Sequence, residues 1–416
     1  MSELSEINLL DPAVAECPYP SYDRLRSEAP VYYDEHTDMY IVTRYDLCRQ
    51  VLRDAKNFIV GNRRPVPRWE LMKQVYEANG VVPGPSLGGL DNPKHKELRN
   101  LYNEAFSPAR IKGLEPFVRD LAHRLIDEFP DDGSVDFVNA FAVKFPLTVI
   151  GHIVGVNDQD DLWRIKEWTE AWIARRGMML SEEETVRATE QECEAQAFFQ
   201  PIIDRLRAEG DDTLLAHIVR TEIPEWGRTL NDGELHTAML QEMFVAGFET
   251  TTSPIGHGMQ FLIERPDLAD ALRADPSLIP AFAEEVLRIE SPVQGLFRRV
   301  AEDTEVGGVL IPKGATVNAR YGAANRDGDA FECPAEFRLD RENGARHLAF
   351  GQGTHVCMGA PLARLELVVG FEVLLQRLTD LAFVDGTNDF RHKPSFVVRG
   401  LRELNINYVT VARAQA

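Results

Sequence analysis

The segment FGQGTHVCMG at residues 350–359 sets a single cysteine, Cys357, in a loop with three glycines. Glycine allows backbone N–H groups to approach a sulfur atom closely. Ala360 and Pro361 follow, and we predict a helix over residues 361–378 whose N-terminus would favour a negatively charged group. A cysteine in a glycine-rich turn is usually a buried structural residue, but this pattern predicts a thiolate that is presented to a ligand.

The other cysteines and the overall charge exclude several classes of protein. Cys17, Cys48, Cys193 and Cys333 are scattered and form no CxxC pair, so neither a disulfide scaffold nor a zinc ribbon is indicated. The chain of 416 residues carries 45 Lys and Arg against 66 Asp and Glu, a formal charge of -21, which argues against nucleic-acid binding. Because no signal peptide and no long apolar run occur, we expect a cytoplasmic protein without a membrane anchor.

The distribution of Pro, Gly and apolar residues predicts a mainly α-helical chain with a minor β region. No repeat, low-complexity tract or linker divides residues 1–416, so we expect a single domain. Residues 30–43 predict a hairpin, and residues 61–93, rich in Pro and Gly, predict irregular structure. Helical spacing predicts helices at residues 20–29, 115–128, 182–207, from about 231, at 280–289 and at 361–378.

The segment AGFETT, residues 246–251, lies inside the long helix that a capping pair, Asn231 and Asp232, begins. Glycine and consecutive threonines weaken a helix interior, so their presence indicates a local function. Pro254 follows four residues after Thr250, where its ring should clash with the Thr250 carbonyl and remove one hydrogen bond. We therefore predict a distorted helix over Thr250–Pro254. The distortion could equally be a tolerated proline kink or a catalytic feature.

Two pairs of charged residues have the spacing that places side chains on one helix face. Glu285 and Arg288 are three apart in a partly apolar segment, and His95 and Arg99 are four apart in DNPKHKELR at residues 91–99. Alone, the first would be an ordinary surface pair and the second a solvated basic face. Their interpretation depends on the segments that accompany them along the chain.

Taken together and in order, these segments resemble the cytochrome P450 family. Residues 350–359 match the family's haem-binding pattern FxxGxxxCxG, AGFETT its oxygen-activation motif, EVLR at 285–288 its ExxR pair and residues 91–99 its DxPxHxxxR segment. Residues 324–327 and 331–337 match its meander. The resemblance covers nearly the whole chain. It implies a mainly α fold with a minor β region, with haem b between the long central helix and the cysteine loop with its following helix.

The resemblance also implies roles for single residues. Cys357 would be the metal ligand, an axial thiolate on haem iron. Glu249 and Thr250 would be the catalytic acid and alcohol that serve oxygen activation. A structural cluster would comprise Glu285, Arg288 and Arg341, with Arg338 as the rival of Arg341. The implied cofactor-binding residues are His95, Arg99, Ala246, Gly247, Arg298 (or its neighbour Arg299), Phe350, Gly351, His355, Cys357 and Gly359.

A mainly apolar substrate pocket is implied as well. Glu242 and Gln294 would offer it polar contacts, although helical spacing leaves open whether Glu242 faces the pocket, points to solvent or pairs with a neighbouring helix. The substrate would be a small-to-medium hydrophobic compound, a terpenoid, steroid, fatty acid or aromatic. The implied pocket residues are Leu87, Glu242, Val245, Val293, Gln294, Leu296, Phe396 and Val397.

The leading functional hypothesis is a monooxygenase that uses O2. Since no dinucleotide fingerprint and no fused reductase or ferredoxin domain is visible, electrons would come from a separate [2Fe–2S] ferredoxin and its NAD(P)H-dependent reductase. The alternatives are a haem-thiolate peroxygenase or nitric oxide reductase, and a non-catalytic haem sensor or carrier. We expect a monomer that binds neither nucleic acid nor membrane. A local docking patch could consist of Lys94, Lys96, Arg110, Lys112 and Arg364.

Overall fold

The computed structural model describes residues 4–61, 68–131, 133–211 and 213–413. Helices dominate these ranges. The α-helices are α1 (Pro12–Glu16), α2 (Tyr19–Glu28), α3 (Tyr45–Arg53), α4 (Trp69–Asn79), α5 (Lys94–Ala105), α6 (Pro108–Gly113), α7 (Glu115–Asp127), α8 (Lys144–Val154), α9 (Gln159–Arg176), α10 (Glu182–Ala208), α11 (Leu214–Arg220), α12 (Asp232–Thr237), α13 (Thr250–Glu264), α14 (Pro266–Ala274), α15 (Ile279–Ile289), α16 (Tyr321–Ala324) and α17 (Ala360–Arg377). Wider π-helical turns occupy Val138–Ala142 and Ala238–Glu249, and 3-10 turns occupy Leu4–Glu6, Leu87–Gly89, Pro276–Leu278, Gly344–Arg346 and Gly353–His355.

The strands are short and form three small sheets. They are β1 (Val31–Asp34), β2 (Met39–Val42), β3 (Phe58–Ile59), β4 (Ser134–Asp136), β5 (Leu296–Val300), β6 (Thr304–Val306), β7 (Val309–Ile311), β8 (Thr316–Ala319), β9 (Leu378–Phe383) and β10 (Asn405–Thr410). The largest sheet has the order β1-β2-β8-β5-β3, in which only β2 and β8 are parallel. β4, β10 and β9 form a second antiparallel sheet, and β6 pairs with β7. The predicted fold class, mainly α with a minor β region, is confirmed.

The main hydrophobic core lies between the helices, and the five-stranded sheet covers a second one. α13, α15 and α17 pack against one another, and α7 packs on α17. α15 illustrates why these helices pack: Phe282, Val286 and Leu287 recur at helical spacing and are all buried.

In the described ranges no single helix is long and apolar enough to cross a membrane. One pair of helices, Val138–Val154 and Gln159–Arg176, meets the length and composition test only jointly, and it is bent by 106°.

The irregular structure predicted for residues 61–93 is wrong for Trp69–Asn79, which forms α4. Met72, Val75 and Tyr76 recur at helical spacing and are buried against Cys193 of α10. Burial of this apolar face outweighs the helix-breaking residues on either side. Residues 62–67 of that stretch lie outside the described residues.

The central helix begins at the predicted cap. The amide of Glu234 donates to Asn231 Oδ1 (3.0 Å), and the amide of Asn231 donates to Glu234 Oε2 (2.9 Å), so two orphan N–H groups are satisfied at once. After α12 the helix widens into π turns over Ala238–Glu249 and returns to regular α-helix at Thr250.

The distortion predicted over Thr250–Pro254 is therefore misplaced. Residues 250–264 are α-helical with Pro254 inside them, and the irregular turns end just before Thr250. At this junction the Thr250 hydroxyl donates to the Ala246 carbonyl (2.9 Å) and the Thr252 hydroxyl donates to the Phe248 carbonyl (3.1 Å). The threonines thus satisfy carbonyl groups where the backbone hydrogen-bond pattern changes.

Candidate functional site

The cysteine loop is held by its own backbone. The amide of Cys357 donates to the carbonyl of Phe350 (2.8 Å). Gly351 and Gly353 have φ values of +66° and +76°, and a Cβ on Gly353 would lie 2.4 Å from the carbonyl oxygen of Leu52. The fixed loop leaves the Cys357 side chain accessible.

The surroundings of Cys357 do not by themselves ionise the thiol. Although the side chain is accessible, the surrounding protein desolvates the thiol and raises its pKa, while the amide of Gly359, the guanidinium of Arg99 and the amide of Ala360 act in the opposite direction. Because burial prevails, the neutral thiol is favoured in the protein alone. A coordinated metal cation would hold the thiolate form.

The central helix presents a small residue to open space. Ala246 is exposed, whereas its neighbours Val245 and Phe248 are buried. Gly247 faces elsewhere, since a Cβ on it would approach Ile150 of α8 to 3.0 Å. The resemblance implies a cofactor-binding role for Gly247, but its missing side chain lets α8 pack closely against the helix.

Glu249 is held by an ion pair that no sequence pattern indicated. Its Oε1 lies 3.2 Å from Lys393 Nζ, and the same Nζ lies 2.8 Å from Glu170 Oε1 on α9. Burial lowers the pKa of Lys393, but Glu249 and Glu170 outweigh it and raise that pKa above its usual value. Glu249 Oε2 is buried without a hydrogen-bond partner among the described residues. The ion pair joins the central helix to α9 and to the C-terminal loop, residues 384–404.

His95 and His355 meet beside the cysteine loop, with ring centroids 4.2 Å apart. His95 is 2% exposed, and neither ring nitrogen has a partner within the described residues. Burial and the nearby charge of Arg99 lower the pKa of His95. A buried imidazole without partners indicates that a polar ligand belongs there.

Arg99 lies between the cysteine loop and the central helix. Its Nη1 donates to the carbonyl of Val356 (2.9 Å), the residue before Cys357. Burial lowers the pKa of Arg99, and the charges of Cys357 and of Glu242 on the central helix act to raise it. The loop and the helix therefore approach Arg99 from two sides.

Arg298 and Arg299 point to opposite faces of β5, because side chains alternate along a strand. Arg298 is 4% exposed, and within the described residues its side chain makes one hydrogen bond, from Nη1 to the Phe297 carbonyl (2.9 Å). Its charge acts to lower the pKa of Tyr321, which burial raises to about 12. The Tyr321 hydroxyl lies 3.6 Å from the position of a Cβ on Gly351. Arg298 is thus on the side of the cysteine loop.

Behind the loop, Glu285 and Arg288 form a buried ion pair with two bonds, Arg288 Nε to Oε2 (2.7 Å) and Nη2 to Oε1 (2.8 Å). Arg341 Nε donates to Oε1 of the same carboxylate (2.8 Å), whereas Arg338 offers only its amide there and pairs its side chain with Asp340. Burial would raise the pKa of Glu285, but the two arginines lower it. The remaining N–H groups of Arg288 donate to the carbonyls of Asn325, Pro334 and Glu336.

Glu242 points neither to solvent nor to a neighbouring helix. Its Oε1 accepts from the amide of Leu87 (2.7 Å), and the amide of Gly88 also bonds to the carboxylate. Burial raises the pKa of Glu242 to about 7, although these two amides and Arg99 oppose the shift. The carboxylate fastens the 3-10 turn Leu87–Gly89 to the central helix.

Gln294 and Phe396 do not line a pocket as expected. Gln294 is 2% exposed, accepts from the Tyr22 hydroxyl (3.0 Å) and donates to the Ser291 carbonyl (2.7 Å). Phe396 is 1% exposed, and the guanidinium of Arg320 lies 4.3 Å from its ring centroid. Both belong to the packing of α2 against the five-stranded sheet.

The other expected pocket residues differ in exposure. Leu87 and Val245 are buried, and Val293 and Val397 are half-buried. Leu296 is 39% exposed and shares the face of β5 with Arg298. Because Leu296 is apolar and exposed on the same side as Arg298, it is consistent with the wall of a cavity.

The orphan groups suit one kind of cofactor. His95 and Arg298 are buried donors that lack an anionic partner, Cys357 is an accessible sulfur and Ala246 opens a space on the central helix. Haem b has two carboxylates for the donors and an iron for the sulfur. The residues present therefore fit haem b with an axial cysteine.

Comparisons with known proteins agree with this site. The family model for cytochrome P450 matches residues 165–399 of this chain. Cytochrome P450 107B1 of Saccharopolyspora erythraea is 36% identical over 97% of this chain and 98% of its own length, and 6-deoxyerythronolide B hydroxylase of the same organism is 32% identical over 93% and 95%. The structure of CYP109E1 from Bacillus megaterium in complex with testosterone has a TM-score of 0.78 and 30% identity, covering 94% of this chain and 99% of that one. The chain belongs to the cytochrome P450 family of monooxygenases, whose cofactor is haem b with an axial cysteine thiolate.

Proposed function

We propose that the protein inserts one oxygen atom from O2 into a hydrophobic organic substrate and receives its electrons from a [2Fe–2S] ferredoxin and an NAD(P)H-dependent reductase. The observation that carries this proposal is that Glu249 and Thr250 follow within about one turn of Ala246, an exposed residue inside the central helix. An acid, an alcohol and a small residue on one helix suit delivery of protons to an oxygen ligand.

Cys357 would ligate the iron, and four residues would bind the haem carboxylates: His95, Arg99, Arg298 and His355. Bound haem b supplies the redox chemistry, and the protein supplies its ligand, a proton path and a pocket. Phe350, Gly351 and Gly359 shape the loop around the sulfur. The ring of Phe350 is covered by Arg364, whose guanidinium lies 4.6 Å from the ring centroid.

Glu249 would hold the proton and Thr250 would pass it on. The Thr250 hydroxyl donates to the Ala246 carbonyl, so its oxygen lone pairs are available to accept a hydrogen bond from a neighbouring group. Lys393 fixes one oxygen of Glu249 and leaves Oε2 free for proton exchange. A peroxygenase needs no such acid and alcohol, and neither does a haem sensor.

The substrate would contact an apolar set of side chains, those of Leu87, Val245, Val293, Leu296 and Val397. Glu242 would order the turn that carries Leu87. We place terpenoids, steroids, fatty acids and aromatic compounds in the substrate class. The similarity to a testosterone-bound structure makes steroids the first group to test, and the similarity to a macrolactone hydroxylase adds macrolides.

The ferredoxin would dock on the cysteine side of the protein. Lys94 and Lys96 begin α5, and Arg110 and Lys112 lie on α6, which packs against α17. All four are exposed, which leaves a basic patch on an acidic protein. Arg364 is not part of it, because its side chain is paired with Glu284 (2.6 Å).

The test combines binding and turnover. A library of steroids, macrolides, fatty acids, terpenoids and aromatic compounds is screened for the low-to-high-spin Soret shift, and each ligand is then assayed for product with NADH, reductase and a [2Fe–2S] ferredoxin. We expect ligand-dependent NADH consumption that requires the ferredoxin, and an oxygenated product. Turnover with peroxide alone would indicate a peroxygenase, and binding without any product would indicate a carrier or sensor.

The docking patch has its own control. Lys112→Glu should slow ferredoxin-driven turnover, and the effect should shrink at high ionic strength. Lys73→Glu on α4 changes charge by the same amount away from the patch and should leave the rate unchanged. Equal rates for wild type and Lys112→Glu would contradict the assignment.

We place the protein in the cytoplasm, in keeping with its five free cysteines, and we propose that it is a monomer.

A further inference from the structure

A second cluster of ligand atoms lies away from the cysteine loop, where the C-terminal loop meets α13. His257 Nε2 lies 3.1 Å from His392 Nε2 and 4.0 Å from Glu290 Oε2, and the three atoms are within 4.8 Å of one another. His257 comes from α13, Glu290 follows α15 and His392 belongs to the C-terminal loop. Nothing in the P450 reaction requires these three side chains.

The hydrogen bonds place a hydrogen on Nδ1 of both imidazole rings. His257 Nδ1 lies 3.0 Å from the carbonyl oxygen of Ser253, which can only accept, so Nδ1 carries the hydrogen. His392 Nδ1 lies 2.5 Å from Glu16 Oε1, a carboxylate, so the same nitrogen is again the donor. When both rings are neutral, each Nε2 is the ring's acceptor, and the two lone pairs face each other at 3.1 Å.

Two facing lone pairs repel unless a proton or a metal ion lies between them. A carbonyl or carboxylate that accepts from the second nitrogen of each ring is the usual outer arrangement around metal-binding histidines. Two Nε2 atoms bound to one zinc ion at 2.0–2.1 Å would be about 3.3 Å apart, close to the separation found here. Imidazole nitrogen also favours transition metals over magnesium or calcium.

Glu290 would complete the site as an oriented carboxylate. Its Oε2 accepts from the Tyr19 hydroxyl (2.6 Å) and from Arg399 Nε (2.9 Å), and its Oε1 accepts from Arg326 Nη2 (2.9 Å). The charges of Arg326 and Arg399 balance those of Glu16 and Glu290. A dication therefore adds uncompensated charge, and the affinity should be lower than at a site whose carboxylates lack arginine partners.

The cluster is open to solvent on one side. A surface cavity is lined by Glu16 and His392 together with Pro12, Ala15, Lys393 and Arg402. This opening gives a hydrated ion a route to His392 and Glu16, while His257 and Glu290 lie behind it in the protein. Ligands, outer hydrogen bonds and access are the features that a metal site needs.

We propose that His257, His392 and Glu290 form a site for a divalent transition metal ion, with Zn²⁺ as the best fit. The ion would fasten the C-terminal loop to α13. Lys393, which holds Glu249, is the next residue after His392. Metal binding would thus stiffen the segment that positions the acid of the central helix.

The experiment uses the untagged, haem-loaded protein and Zn²⁺ alone. After equilibrium dialysis against buffer with a defined excess of Zn²⁺, we expect about one zinc ion per chain above the outer buffer by elemental analysis, and a higher melting temperature with Zn²⁺ than with Mg²⁺. His392→Asn and His257→Asn should both lose the ion and the thermal shift. His36→Asn, at an exposed position in the β1–β2 turn, should keep both.

His257→Asn changes a buried residue and could fold poorly. His392→Asn keeps the test decisive in that case, since His392 lies at the opening. Zinc at background level in the wild type would overturn the proposal, because a shared proton would then hold the two rings together. Equal zinc content in the wild type and His392→Asn would overturn it as well, because the ion would be bound elsewhere.

Discussion

Two buried arginines ten residues apart, Arg288 and Arg298, have opposite surroundings. Arg288 is fully buried, and its guanidinium donates to Glu285 and to three backbone carbonyls. Arg298 is also buried but bonds only to the carbonyl of its neighbour Phe297 among the described residues. A buried charge needs a partner, so the first arginine serves the fold and the second awaits a ligand.

The same contrast separates other groups of the molecule. Glu285 is satisfied by two arginines, and burial alone does not decide its pKa. His95 has two unpaired ring nitrogens, and Glu249 has one unpaired oxygen. The satisfied groups lie behind the cysteine loop, and these unsatisfied ones belong to residues assigned to cofactor binding and proton delivery. For these residues, a missing hydrogen-bond partner separates the groups assigned to the site from the structural ones, which burial alone does not.

The largest effect should follow from breaking the satisfied cluster. Arg288→Met leaves Glu285 as a buried charge with fewer partners, which should cost about 3–5 kcal/mol of stability. Thermal or urea unfolding checks this. Arg24→Met removes an exposed pair with Glu28 and should change stability by less than about 1 kcal/mol. Similar losses in the two variants would refute a structural role for the cluster.

Glu249→Gln should leave the fold intact and slow turnover by about 100-fold, because a proton-donating group contributes roughly that much or more. The rate of product formation at saturating substrate and ferredoxin measures the effect. Glu170→Gln is the matched control, since Glu170 bonds to the same Lys393 but lies on α9. If both variants slowed turnover equally, the ion pair and not the acid would be responsible.

Arg298→Ala should weaken haem retention by about 10–100-fold, since a hydrogen bond between charged groups contributes roughly 1.5–3 kcal/mol. The rate of haem transfer to an apo-globin measures it. Arg299→Ala removes the same charge from the opposite face of β5 and should retain haem like the wild type. Faster loss from Arg299→Ala would reverse the assignment of the two arginines.

The smallest effect concerns pH. The pKa of Glu242 is raised from 4.5 to about 7, so the folded protein holds this proton more tightly than the unfolded chain. Its stabilising contribution is complete below pH 4.5 and is lost as the pH rises to about 7. Glu242→Gln should remove this part of the pH dependence of unfolding, and the exposed control Glu225→Gln should not. An unchanged slope in Glu242→Gln would contradict the buried position of the carboxylate.

Motifs with local geometry could be predicted from the sequence. The capping pair at Asn231, the helix face shared by Glu285 and Arg288, and the glycines around Cys357 all depend on residues within one or two turns. The resemblance supplied the long-range partner Arg341, and its contact with Glu285 is present. These parts of the fold follow from spacing and a family pattern.

Contacts between distant segments could not be predicted. Lys393 and Glu249 are 144 residues apart, and Leu87 and Glu242 are 155 apart, so no spacing rule relates them. Whether Gly247 faces the cofactor or α8 depends on the rotation of a helix that contains π turns, and these shift the face by an amount that tertiary packing sets. The burial of Phe396 depends likewise on how α2 meets the sheet.

The most direct test of the account is the carbon-monoxide difference spectrum of the reduced protein. A thiolate from Cys357 on the haem iron predicts the red-shifted Soret band of thiolate coordination in the wild type. Cys357→Ala should fold, as judged by circular dichroism, and lack that band, while Cys333→Ala, at another exposed cysteine, should retain it. A wild-type spectrum without the red-shifted band, or a Cys357→Ala spectrum that still has it, would contradict the central claim.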